Sequence, residues 1–123
     1  MDDIFYKTAI RALKSLPEEF SDRLVGVEII IEDFADQETL SSVGVENPWN
    51  LLGLYAGIPM DKQSVFYQSP FPERIYIYSK PVMLAARNHQ NLYEVIRDVL
   101  LHEIGHHFGF DDESLEEMEG RRR

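Results

Sequence analysis

Two histidines and a glutamate near the end of the chain have the spacing that metal chemistry requires. His102, Glu103 and His106 form a His-Glu-x-x-His motif within residues 101–112. On an α-helix, residues four positions apart share a face, with Cβ atoms about 5–6 Å apart. Two imidazole nitrogens can then both reach one ion at about 2.0–2.1 Å. Glu103 lies roughly 100° further around the helix, close enough to contact a water on that ion. The motif predicts metal-assisted hydrolysis, with Glu103 as the general base for a metal-activated water.

A third protein ligand is predicted beyond the end of this helix. A catalytic zinc site takes three protein ligands and leaves the fourth position for water. Gly109 can end the helix in a turn that a Cβ would resist, so that the chain folds back and brings Asp112 to the metal. The spacing His-x-x-x-His-x-x-Gly-x-x-Asp is the long metzincin-type signature with Asp in place of the third His, which favours Asp112. Asp111 and the glutamates at positions 113, 116, 117 and 119 remain alternative ligands.

The helix that must carry the motif has local start and stop signals. Asn91 can cap it, with Glu94 completing a capping-box arrangement, and Gly109 supplies the stop. We therefore expect a helix over residues 92–108. Its early turns oppose an apolar face to a polar face, and the polar face consists of Tyr93, Glu94, Arg97 and Asp98.

The rest of the chain predicts a mixture of helices and strands. Apolar residues recur with helical spacing over residues 3–16, and Pro17 ends that pattern. Alternation predicts a strand over residues 24–32 and another over 74–78, with a short strand at 65–67. Pro81 lies in the first turn of a predicted helix over residues 79–87. The acidic residues 33–46 are interpreted as a loop.

Residues 47–59 form an apolar connection that is bounded by prolines and contains no charged side chain. Their composition is typical of a loop that packs on the core or of one that faces a ligand. Four tyrosines are candidates for stabilising an oxyanion, and the sequence does not rank them: Tyr55, Tyr67, Tyr76 and Tyr78.

Composition limits the classes of protein that the chain can belong to. Its 123 residues are enough for one domain spanning 1–123, with an acidic and then Arg-rich tail over 113–123. The net charge of -10 disfavours nucleic-acid binding, and the absence of cysteine excludes thiolate metal sites. No apolar run approaches a membrane span and no secretory signal is visible, so we expect a cytoplasmic protein. The oligomeric state is left open.

Three segments of the chain resemble the small bacterial zincin-like metallopeptidase family, also described as minimal metzincin-like. They are residues 101–112, the run Leu-Leu-Gly-Leu-Tyr-Ala-Gly-Ile-Pro at 51–59, and residues 74–81, together about half of the chain. The resemblance implies a compact α+β zincin-like fold in which a small mixed sheet packs against the active-site helix. It also implies one Zn²⁺ per chain, held by His102, His106 and Asp112, with Glu103 as base. It implies no particular substrate.

The sequence therefore favours a zinc-dependent metallopeptidase that acts on a peptide or protein substrate. A metal-dependent endoribonuclease is the alternative, since bacterial rRNA-maturation enzymes share the His-x-x-x-His-x-x-Gly spacing. Those enzymes lack the glutamate after the first histidine and end the motif in His, where this chain has Asp112. A third hypothesis is a metal-stabilised peptide-binding or regulatory module without turnover.

Overall fold

The chain begins with a helix, and the long helix that carries the His-Glu-x-x-His motif follows the last strand. The computed structural model describes residues 2–21, 24, 26–56, 73–87, 91–107, 109, 113 and 117. The helices are α1 (Asp2–Lys14), α2 (Glu18–Ser21), α3 (Gln37–Ser42), α4 (Ser79–Ala86) and α5 (Leu92–His107). The strands are β1 (Glu28–Glu32), β2 (Gly53–Ala56) and β3 (Arg74–Tyr78), and a 3₁₀ turn spans Pro48–Asn50. None of the helices in these ranges is both long and apolar enough to cross a membrane.

The three strands form one mixed sheet in the order β1-β3-β2. β1 is parallel to β3, whereas β2 is antiparallel to β3, with Gly53 opposite Ile77 and Tyr55 opposite Ile75. The N–H of Tyr78 donates to the carbonyl of Leu52 over 3.0 Å. Because hydrogen-bonded and non-bonded pairs alternate along an antiparallel ladder, the peptide groups of Gly53 and Tyr55 point away from β3. Among the described residues no further strand pairs with this side of β2, its open edge.

The main hydrophobic core lies between one face of the sheet and two helices. α1 packs against β1 and α5, and α5 packs against β2. The apolar face predicted for the first helix is buried here, so the helix that the spacing of apolar residues predicts is confirmed. Its larger buried side chains include Phe5 from α1, Leu16 just after α1, Phe20 from α2, Ile29, Ile75 and Ile77 from the sheet, and Ile96, Leu100, Leu101 and Ile104 from α5. The predicted α+β class, with a small mixed sheet packed against the motif-bearing helix, is confirmed.

A short helix replaces part of the loop that the sequence predicts over residues 33–46, and that prediction is wrong for α3. Asp36 caps this helix, because its side chain accepts a hydrogen bond from the N–H of Thr39 over 2.8 Å. Leu40 is buried against Ala35 and Tyr78 in a second, smaller core on the other face of the sheet. A cap followed by one buried leucine is enough to order six residues within a polar segment.

The apolar connection at residues 47–59 contains a strand that the sequence analysis did not identify. Its described part forms the 3₁₀ turn and then β2. Leu54 packs in the smaller core while Tyr55 packs in the main core, so both faces of β2 are covered. A strand covered on both faces has no polar alternation to identify it. The strand predicted at 65–67 lies outside the described residues.

Helix α5 begins and ends close to its predicted limits. The side chain of Asn91 accepts a hydrogen bond from the N–H of Glu94 over 2.8 Å, as the predicted cap requires. One residue of the predicted polar face is buried instead of exposed to solvent. Arg97 is only 7% exposed, because α1 covers it and Ser15 accepts its hydrogen bonds.

Candidate metal centre

Helix α5 places His102 and His106 one turn apart on the same face. Their ring centroids are 6.1 Å apart, with the ring planes at 75°. His102 is partly buried and His106 is exposed. The two rings therefore lie side by side at the surface of α5, as the spacing predicts.

The ring of His102 is oriented by the helix itself. Its Nδ1 lies 2.9 Å from the carbonyl oxygen of Asp98, one turn earlier on α5. A carbonyl oxygen only accepts hydrogen bonds, so this contact places the proton on Nδ1. In the neutral ring, the lone pair is then on Nε2 and is available to a metal. Zinc-ligating histidines commonly have a second hydrogen bond of this kind, to a carbonyl or carboxylate.

Glu103 lies between the two histidines in sequence and faces strand β2. The backbone N–H of Tyr55 donates a hydrogen bond to its carboxylate. Burial raises the pKa of the Glu103 carboxyl above its usual value, while His106, His102 and the Tyr55 N–H act in the opposite direction. A carboxylate with a raised pKa is a stronger base near neutral pH than an exposed one.

The turn predicted at Gly109, after α5, has a backbone conformation that favours glycine. Gly109 has φ of 89°, and its N–H donates to the carbonyl of His106 over 3.0 Å. Asp112 itself lies outside the described residues. Within the part of the chain that the structure describes, no group of three His, Cys, Asp or Glu residues is placed to hold a metal. The structure thus brings together two of the three predicted ligands, and Asp112 stays a prediction.

A cleft of about 320 Å³ opens beside His102 and Glu103. Apolar side chains from the segment before β2 and from α5 line much of it, and Asp98 and Asn50 add polar groups. The complete lining is Asn50, Leu51, Leu52, Gly53, Asp98, Val99, His102 and Glu103. In the described part of the apolar connection, Tyr55 packs in the core while residues 51–53 line the cleft. Core packing is thus confirmed, and the ligand-facing role stays a prediction.

The structure describes three of the four candidate tyrosines, and their hydroxyl groups have little part in this site. The Tyr55 hydroxyl donates to Glu73 over 2.6 Å. Tyr76 and Tyr78 stack on each other, with ring centroids 6.3 Å apart, on the sheet face opposite Ile75 and Ile77. These placements favour none of the three as an oxyanion stabiliser, and Tyr67 lies outside the described residues. The sequence does not reveal one functional group of the site, the backbone N–H of Tyr55, because no side chain indicates this donor.

Comparison with known proteins identifies the family. Residues 24–122 match the family model described as zincin-like metallopeptidase. A solved structure of a conserved hypothetical protein from Thermus thermophilus has the same fold, with a TM-score of 0.58. That structure shares 24% sequence identity, and the match covers 98% of this chain and 99% of the other. None of the curated proteins compared with the chain matches it. Since the family model spans β1 to β3 and the whole of α5, the chain belongs to the zincin-like metallopeptidase family.

Proposed function

We propose that the protein is a zinc-dependent peptidase in which His102, His106 and Asp112 bind one zinc ion and Glu103 is the general base. The observation that carries the proposal is the position of Glu103. It is partly buried beside the two histidines, and its carboxylate is held at the open edge of β2 by the N–H of Tyr55. In a purely structural metal site this glutamate would have no evident role.

The donor set fits zinc. Imidazole nitrogens are preferred zinc ligands, and the Asp98 carbonyl leaves Nε2 of His102 available for this purpose. His106 supplies a second imidazole on the same face of α5. When bound, zinc would polarise the carbonyl of the scissile bond and increase the acidity of a water.

Glu103 supplies the proton transfers that hydrolysis needs. Its carboxylate takes a proton from the attacking water and later delivers that proton to the leaving amine. The raised pKa of Glu103 assists both transfers, because a carboxyl that titrates closer to neutral pH can accept and then release a proton. The Tyr55 N–H holds the carboxylate in place between the two transfers.

The open edge of β2 and the cleft suit an extended peptide. A peptide can pair with an exposed strand edge through main-chain hydrogen bonds, while a pocket binds one of its side chains. The outward peptide groups of Gly53 supply such an edge next to Glu103, and Leu51 and Val99 give the neighbouring cleft apolar walls. The net charge of -10 supports a peptide substrate over RNA, whose phosphates the protein would repel.

A mixed peptide library, read out by mass spectrometry, tests the proposal without assuming a sequence preference. We expect the zinc-loaded protein to cleave a subset of the peptides, and we expect His102→Ala and chelator-treated protein to cleave none. Single-stranded RNA, incubated under the same conditions, should stay intact. Cleavage of RNA but not of peptides would overturn the peptidase in favour of a ribonuclease.

A further inference from the structure

Strand β2 lies very close to helix α5 at Gly53. A Cβ built on this residue would lie 2.6 Å from Cγ1 of Val99 and 3.1 Å from the carbonyl oxygen of Tyr76. The first distance is shorter than real Cβ contacts allow, and the second involves backbone that cannot rotate aside. The same Cβ would lie 4.0 Å from Cγ of Glu103. Gly53 is therefore a point of close contact between β2 and the part of α5 that carries Glu103.

Tyr55 lies two residues further along β2, on the same face of the strand as Gly53. Three contacts fix its position. It is opposite Ile75 in the ladder, and its hydroxyl donates to Glu73 over 2.6 Å. Its N–H points away from β3 and donates to the Glu103 carboxylate. The distance between β2 and α5 thus decides whether this N–H reaches Glu103.

We propose that Gly53 is a positioning residue for Glu103: without a Cβ, β2 lies close enough to α5 for the Tyr55 N–H to hold the carboxylate. Any larger residue pushes the strand away from Val99 and releases Glu103 from Tyr55. The structural part of this proposal stands on the contacts alone, and its catalytic consequence rests on the proposed function.

A compensating pair of substitutions tests the proposal in the zinc-loaded protein. Amide hydrogen exchange of Tyr55, measured by NMR, reports the hydrogen bond to Glu103 directly. In Gly53→Ala, exchange at Tyr55 should accelerate by about tenfold or more, because a bond to a charged acceptor is lost. Val99→Ala removes the methyl groups responsible for the shorter contact, while the 3.1 Å contact with the Tyr76 oxygen remains. Gly53→Ala/Val99→Ala should therefore return exchange most of the way to the rate of Val99→Ala alone.

Peptide cleavage provides a second measurement, which should change in parallel with the exchange rate of Tyr55. A misplaced base lowers kcat by about 10–100-fold with a smaller change in KM, and the double variant should recover most of the kcat of Val99→Ala. Leu54→Ala is the matched control. It weakens β2 on the face away from α5 and should leave the exchange of Tyr55 unchanged.

Unchanged Tyr55 exchange in a folded Gly53→Ala, or no recovery in the double variant, would overturn the proposal. Should Gly53→Ala fail to fold, Glu103→Ala tests the hydrogen bond on which the proposal depends, since loss of the acceptor must accelerate exchange at Tyr55. No acceleration there would equally refute the proposal. If the wild type shows no detectable peptide cleavage, the exchange rate of Tyr55 alone tests the positioning role of Gly53. Failure of this proposal is therefore distinguishable from failure of the proposed function.

Discussion

The guanidinium of Arg97 on α5 donates from Nε to the hydroxyl of Ser15 over 3.0 Å, at the end of α1. Nη2 of the same side chain is 3.4 Å from the Ser15 carbonyl oxygen. This carbonyl follows α1, where the helix no longer supplies partners for its last carbonyls. Arg97 therefore joins the first helix to the helix that carries the candidate metal ligands.

Replacement of Arg97 should destabilise the fold more than replacement of an exposed arginine. Arg97→Ala removes charged hydrogen bonds from a buried position, and we expect the free energy of unfolding to fall by about 2–3 kcal/mol. Arg11→Ala is the control. Arg11 is exposed and its guanidinium lies over the ring of Tyr93, 4.5 Å from the centroid, so we expect a loss below about 1 kcal/mol. Urea denaturation measures both, and equal losses would contradict the structural role of Arg97.

The turn at Gly109 should matter for zinc as well as for stability. Gly109 and Gly44 both have positive φ, 89° and 72°, and a Cβ on either would meet no atom within 4 Å. Substitution by Ala therefore costs backbone strain without a clash, about 1–2 kcal/mol in each case. We expect Gly109→Ala also to weaken zinc binding by about tenfold, because relief of the strain moves the chain between His106 and Asp112.

Gly44→Ala provides the comparison, since its turn lies after α3 and outside the candidate site. Isothermal titration with zinc should give the wild-type affinity for this variant. If both variants bind zinc equally well, the turn at Gly109 does not position a ligand.

The identity of the third ligand can be tested at two adjacent carboxylates. Asp112→Ala should weaken zinc binding by more than about 100-fold, beyond the effect expected for an outer-shell partner, whereas Asp111→Ala should change it little. Competition with a chromophoric chelator measures both affinities. Equal effects at the two positions would show that Asp112 is not the specific ligand.

Alkaline pH should destabilise the protein through its buried tyrosines. Burial, together with the charge of Glu32, raises the pKa of Tyr78 from 10.0 to about 12. Between these values the unfolded chain releases the phenol proton while the folded protein retains it, so stability is complete below pH 10 and falls as the pH approaches 12. We expect a loss of about 2 kcal/mol from Tyr78 over this interval.

Tyr78→Phe removes that loss, so its free energy of unfolding should decline less than that of the wild type between pH 10 and pH 12. Part of the decline should remain, because burial also raises the pKa of Tyr55. Denaturant titrations at several pH values measure the difference. Parallel declines would contradict the assignment to Tyr78.

The parts of the fold that local chemistry specifies were predictable from the sequence. Helix α5 has its cap at Asn91 and its stop at Gly109, and the structure has both features. β3 was also predictable, since Ile75 and Ile77 alternate with residues of the opposite face. Helix α5 carries the two histidines and Glu103, so much of the candidate site could be predicted from local patterns.

The remaining features depend on tertiary packing. β2 shows no polar alternation because both of its faces are covered, by the core around Tyr55 and by the smaller core around Leu54. Arg97 is buried only because α1 packs over α5. The hydrogen bond from Tyr55 to Glu103 uses a backbone donor, and only the pairing of β2 with β3 turns that donor toward α5. No pattern in a single sequence specifies these contacts.

The central claim, that Glu103 is a catalytic base and not a metal ligand, is tested most directly by Glu103→Gln. Zinc content and peptide cleavage should be measured on the same purified sample. We expect full zinc occupancy, an unchanged fold and a loss of cleavage by about 10²–10⁴-fold relative to the wild type, the usual contribution of a general base. Loss of zinc from this variant, or wild-type cleavage with zinc bound, would contradict the role of Glu103 as a catalytic base.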